Sequence, residues 1–170
     1  MKKLTLLLSF LLVFALQNKI EAQSTIAKAE ITFEFVSKGV KGTIGGFEST
    51  SSIDFDNPEN SVFKGAVAVK TLDTNNGLRN WSLKSGKYFD ADDFPKISFS
   101  STSVIVNEND YTVKGTLTLK GVSKPVSIAF AKKGNQLKGQ LEIYSFDYGV
   151  KVKKKREDNL VKVTLLFDLK

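Results

Sequence analysis

The chain has 170 residues, of which 41% are hydrophobic, with 25 Lys and Arg against 18 Asp and Glu for a net charge of +7. It contains neither cysteine nor histidine, which excludes disulfides, thiol nucleophiles, thiolate or imidazole metal sites and every His-dependent catalytic triad. The length fits one domain, and the apolar fraction is too high for a disordered chain.

At the N-terminus Lys2 and Lys3 precede an apolar run over residues 4–16, and a polar stretch ends Ile20-Glu21-Ala22. This pattern predicts a secretory signal peptide over residues 1–22, cleaved after Ala22 to leave a domain over 23–170. The apolar run is shorter than the ~20 residues a membrane-spanning helix needs. No cysteine follows to carry a lipid anchor. The expected location is periplasmic or extracellular.

Period-two alternation dominates the remainder. Ile31, Phe33 and Phe35 alternate with Thr32 and Glu34. The same rule holds for Tyr111 to Leu119, for Val126, Ile128 and Phe130, for Leu137, Leu141 and Ile143, and for Val161 to Leu169. Each run presents one apolar and one wet face, as an antiparallel sheet wrapped round a core requires. Turn-forming residues at 56–60, 107–110, 120–123, 133–135 and 156–159 separate the runs. The prediction is an all-β domain, a single antiparallel barrel of about eight strands. One segment departs from it. Residues 74–86 lack alternation, and Asn75 or Asn76 is placed to cap a short helix carrying Leu78 and Trp81 on one face. The stretch 87–95 is irregular, aromatic and acidic. The insertion around residues 76–94 therefore reads either as a lid over one barrel end or as a plug that completes the core.

Several blocks in order resemble the YceI-like domain, an exported bacterial domain with a lipocalin-like barrel. They are the Gly39 to Phe47 element, the segment from Thr74 to Leu83, Tyr88-Phe89-Asp90 followed by Phe94-Pro95-Lys96-Ile97-Ser98-Phe99, and the run from Gly115 to Val126. The chain departs from the family pattern at Asn80, where the family has Asp after Arg, and at Trp81 and near Ser37, where His is usual. Ser145-Phe146-Asp147-Tyr148-Gly149 lacks the family's Arg. The resemblance implies binding without catalysis, with a polyisoprenoid or similar long amphipathic lipid held in the barrel. On that view Phe33, Phe35, Phe47, Phe55, Phe63, Phe99, Phe130, Leu117 and Leu119 are the candidate lining. Leu78 and Trp81 are the candidate cover, and Arg79 either meets a headgroup or pairs with a carboxylate such as Asp90. An eight-stranded barrel is also small enough to fill itself with side chains. The rival expectation is thus a ligand-free interaction or stress-protective scaffold at the cell envelope.

Other chemistries find little footing. Asp90, Asp92 and Asp93 lack the Gly and terminal Glu of a calcium loop, and no carboxylate pair marks a glycosidase cleft. No phosphate-binding glycine loop opens a helix, so no metal or cofactor is expected. Ser37-Lys38 and Ser123-Lys124 are adjacent, which on a strand sends the two side chains to opposite faces. Lys151, Lys153, Lys154, Lys155 and Arg156 read as the outer face of a strand running into a turn. Charges there discourage edge aggregation or favour weak contact with an anionic membrane surface. Export argues against nucleic acid as a partner.

Overall fold

A computed structural model describes residues 23–107 and 110–170; the predicted signal peptide lies outside them. Among the described residues nine strands form one antiparallel sheet: β1 (Ile26–Phe35), β2 (Val40–Ile44), β3 (Glu48–Ser49), β4 (Lys64–Ala68), β5 (Lys96–Asn107), β6 (Asp110–Leu119), β7 (Val122–Lys133), β8 (Gln136–Tyr144) and β9 (Leu160–Leu169). The sheet order is β2-β1-β9-β8-β7-β6-β5-β4-β3. Its two ends belong to one bent segment: β2 pairs with β1, and β3, three residues further on, pairs with β4. The Ala68 N–H donates to the Gly45 carbonyl at 2.9 Å across that bend. The sheet thus curls until its ends meet, and counting the bent segment once gives the eight strands expected from the sequence.

Antiparallel register sorts the connections into two ends. Residues 36–39, 69–95, 120–121 and 145–159 lie at one end, termed the mouth, and 50–63 and 134–135 at the other. The β6–β7 turn is only Lys120-Gly121, both with positive φ, 49° and 73°. This is the two-residue hairpin geometry that matches strand twist. A register shift between Ser101 and Ser103 in β5 changes which residues face inward: Phe99 faces in before it and Val104 after it.

The single α-helix among the described residues, α1 (Gly77–Lys84), sits in the long β4–β5 connection at the mouth. Asn76 caps it, its side-chain oxygen accepting from the Arg79 N–H at 2.9 Å. The helix phase is set by Asn80, whose side-chain oxygen accepts from the Thr74 N–H and hydroxyl at 2.8 and 2.7 Å. Its amide donates to Asp73 at 2.7 Å. These bonds tie α1 to the preceding loop and hold the Asp73 carboxyl below the ordinary carboxylate range, the Asn80 bond being the largest cause.

The basic segment corrects a sequence expectation. Residues 150–156 are a loop between β8 and β9 with no ladder partner. Their shape is set by Asn159, which is fully buried. Its side-chain oxygen accepts from the N–H groups of Val152 and Lys153, both at 2.9 Å, and its amide donates to the carbonyls of Lys153 and Lys155 at 3.0 and 2.5 Å. Backbone groups satisfied this way do not need a sheet neighbour. Asn159→Ala leaves two backbone donors without a protein partner, and the expected loss is about 2–4 kcal/mol. Urea denaturation checks this.

Candidate functional site

The barrel is packed unevenly. In its lower half Phe63 stacks on Phe130 with ring centroids 5.3 Å apart, Phe130 lies 5.8 Å from Phe167, and Phe167 stacks on Phe47 at 5.4 Å. These rings, with Ile53, Val113 and Leu137, form a buried floor. A second buried group, Leu119, Ile143, Tyr148 and Val150, lies toward the mouth. Between them, inward-facing residues of mid-strand such as Leu117, Leu141 and Val163 are only half-buried. Side chains that point into a filled core are buried; these border open space.

That space is a cavity of about 640 Å³, inside the range of sites that enclose small molecules. It runs from Ile26 and Phe63 below to Lys38 and Arg79 at the mouth. Its wall is mainly aliphatic and aromatic, with few polar groups. One of these is the Ser145 hydroxyl, which donates to the Val150 carbonyl at 2.8 Å. Three Phe rings lie across glycines of the neighbouring strand: Phe33 over Gly42, Phe99 over Gly115 and Phe130 over Gly139. With no Cβ beneath them, the rings rest against the wall.

Of the candidate lining residues, Phe33, Phe35, Phe47, Phe63, Phe99, Phe130, Leu117, Leu119 and Arg79 border this cavity. Phe55 does not. It sits at the lower end, edge-on to Tyr111 at 5.9 Å, with the Lys132 ammonium 4.6 Å from its ring. It closes that end from outside the lumen. Leu78 and Trp81 do not border it either, being 84% and 76% exposed. With the helix phase held by Asn80, Arg79, Ser82 and Leu83 line the cavity instead, and Leu78 and Trp81 occupy the opposite face. Apolar character alone misassigned that face, because residues 79, 82 and 83 have helical spacing as well. The aliphatic residues of β8 and β9, Leu141 and Val163 among them, were absent from the candidates, although their alternation was visible.

The charges at the mouth are arranged simply. The Arg79 guanidinium makes no ion pair among the described residues and donates a long hydrogen bond, 3.5 Å, to the Thr74 carbonyl; it does not pair with Asp90. Asp92 is held by Lys70 at 3.0 Å. Arg156 donates to both Asp147 oxygens, at 2.7 and 2.5 Å, and lies over the Tyr144 ring at 3.9 Å. The Arg156 bond is the main reason the Asp147 carboxyl falls below its ordinary range. Of the basic cluster, then, Arg156 is engaged within the fold, and the Lys151 ammonium lies 4.8 Å from the centre of the Phe146 ring. Neither Ser-Lys neighbour pair forms a nucleophile and base: the Ser37 hydroxyl donates to the Asp158 carbonyl at 2.6 Å, and Ser123 shares a hydrogen bond with Thr118 at 2.8 Å.

Residues 20–170 match the YceI-like domain. The chain belongs to the YceI-like family. The UPF0312 protein plu2095 of Photorhabdus laumondii is 36% identical over 85 residues, half of this chain and 44% of that protein. Protein YceI of Salmonella arizonae is 33% identical over 87 residues, 51% of this chain and 46% of that one. The matched segment thus spans about half the length of the curated relatives. Among solved structures, BcnA of Burkholderia cenocepacia superposes with a TM-score of 0.70 at 21% identity, covering 85% of this chain and 98% of that one. A polyisoprenoid-binding domain from Saccharophagus degradans, implicated in plant cell wall breakdown, gives 0.58 at 12% identity, covering 87% and 97%. At these identities the likeness establishes the YceI-like barrel fold.

Proposed function

We propose that this chain is an exported, non-enzymatic carrier that holds a polyisoprenoid or similar long amphipathic lipid along its barrel axis. The observation that carries the reading is the open apolar lumen of about 640 Å³ behind half-buried mid-strand residues. A prenyl chain placed there gains on the order of 25 cal/mol per Å² of apolar surface removed from water. The polyisoprenoid-binding domain from Saccharophagus degradans, which shares this fold, points the same way. At the mouth, Arg79 meets the oxygenated or anionic end of the lipid. Removal of residues 1–22 during export leaves the domain over 23–170. Lys151, Lys153, Lys154 and Lys155 add a weak electrostatic contact with anionic membrane.

Native mass spectrometry of protein purified from its own host, with organic extraction of the same sample, tests the carrier. A stoichiometric prenyl or similar long-chain lipid is the expected result. Ligand-free preparations that also fail to take up added prenyl lipids would overturn it in favour of an interaction scaffold.

A further inference from the structure

The face of α1 turned away from the cavity is apolar and uncovered. Leu78 is 84% exposed and Trp81 76% exposed, whereas the other large apolar residues exposed among those described, Val36, Val62, Ile105 and Val106, reach only 38–46%. Large apolar side chains left in water this way mark a surface that meets something else.

The charge around them is strongly one-sided. The four connections at the mouth carry eleven basic and seven acidic residues. Two of those acids pair with two of the cations, Asp92 with Lys70 and Asp147 with Arg156, which leaves nine basic against five acidic residues and the same excess of four. At the opposite end the described connections, 50–63 and 134–135, hold Asp54, Asp56 and Glu59, and the cations there, Lys64, Lys132 and Lys133, stand on the flanking strand ends. In an anionic field such a molecule orients mouth first. Two of the mouth cations are also crowded together. Lys153 lies near Lys38, and the neighbouring ammonium lowers the Lys38 pKa. A bound anion relieves like-charge crowding of this kind.

We propose that the mouth docks on an anionic phospholipid bilayer, with Leu78 and Trp81 of α1 inserted at headgroup depth and Lys38, Lys153, Lys154 and Lys155 set against the lipid phosphates. The inference rests on the proposed electrostatic membrane contact and adds the inserting element. Trp and Leu supply the apolar contact that charge alone lacks. An indole with one wet edge suits the interface between headgroups and acyl chains. The inserted face backs directly onto the Arg79, Ser82 and Leu83 face that lines the cavity, so docking brings the mouth of the lumen to the membrane.

The chain contains one tryptophan, so Trp81 reports its own insertion. The experiment adds the protein without residues 1–22, at low salt, to vesicles of equimolar phosphatidylglycerol and phosphatidylcholine, and in parallel to pure phosphatidylcholine. The expected result is a blue shift of tryptophan emission with the anionic vesicles alone. At roughly 1 kcal/mol per cation, neutralising Lys153, Lys154 and Lys155 to Gln weakens binding about a hundredfold. Leu78→Ser reduces the shift, and Trp81→Ser reduces vesicle flotation, with circular dichroism unchanged for both.

Flotation with the anionic vesicles but without an emission shift overturns insertion and leaves only electrostatic contact. Neither flotation nor shift overturns both. A concentration-dependent blue shift in vesicle-free buffer, with elution as a dimer, assigns the face to a second copy and overturns membrane docking. Prenyl-lipid loading, measured on Leu78→Ser and Trp81→Ser, stays at the wild-type level because neither residue borders the cavity. The carrier reading therefore stands or falls separately.

Discussion

Gly115→Ala is expected to lower stability by about 1–3 kcal/mol, as overpacking of a close-fitted wall does. For a domain of this size that is roughly 2–12 °C in Tm. A Cβ at Gly115 comes to 2.5 Å from both the Phe99 Cζ and the Ser100 carbonyl oxygen. The ring has somewhere to go, since Phe99 borders the lumen, but the carbonyl belongs to the neighbouring strand and cannot move without parting β5 from β6. Gly139→Ala differs in kind. There the three nearest atoms all belong to the Phe130 ring, and Phe130 is fixed between Phe63 and Phe167. Displacing it disturbs the aromatic floor. The two substitutions separate in a double-mutant test: Phe130→Leu added to Gly139→Ala costs less than the sum of the single losses. Gly115→Ala and Phe130→Leu, which share no contact, add. Thermal denaturation of the five variants measures both. Strict additivity at Gly139 would contradict the ring-over-glycine packing.

These glycines mark where the sequence is informative and where it stops. Alternation in β1, β6, β7, β8 and β9 is legible because one face of each strand meets a lumen and the other meets water, and that contrast is written in every second residue. It yields the barrel and most of its lining. The bent segment joining β2 to β3 is harder to read. Five residues of one strand and two of the other are too short to show a period, and only the pairing of each with a different neighbour reveals that together they close the sheet. The phase of α1 is likewise hidden. Both Leu78 with Trp81 and Arg79 with Ser82 and Leu83 satisfy helical spacing, and the choice falls to Asn80, a polar residue whose bonds to Asp73 and Thr74 depend on the loop already being folded. Asn159 is a stronger case. In the sequence it is one more turn residue after a run of charges, and in the fold it is fully buried and holds the basic loop by four hydrogen bonds. Phe55 shows the converse error: an aromatic beside a strand packs against the end of the barrel and not into its lumen.

Whether the lumen is open decides between carrier and scaffold, and Val163→Trp tests that without a known ligand. Val163 on β9 is paired in register with Leu141 on β8, and both are half-buried against the cavity. In a filled barrel a Trp at this position overpacks the core and costs about 1–3 kcal/mol. In an open one the indole projects into space already present, finds apolar contacts on the far wall, and leaves stability within about 1 kcal/mol of wild type. Loading responds in the opposite sense. An indole lying across the shaft excludes roughly 100 Å² of prenyl surface, which at about 25 cal/mol per Å² costs about 2.5 kcal/mol, somewhat under a hundredfold in affinity. The expected outcome is thus a protein that melts like wild type and has lost its lipid. Urea denaturation reads the first half and prenyl-lipid titration the second. A variant that is destabilised by several kcal/mol, or one that retains wild-type loading, contradicts a lipid seated between β8, β9 and the opposite wall. Arg79→Gln complements it from the mouth. Removing that cation weakens lipids with an anionic end and leaves an uncharged prenyl alcohol unaffected, so the pair of variants divides the apolar shaft from its polar rim.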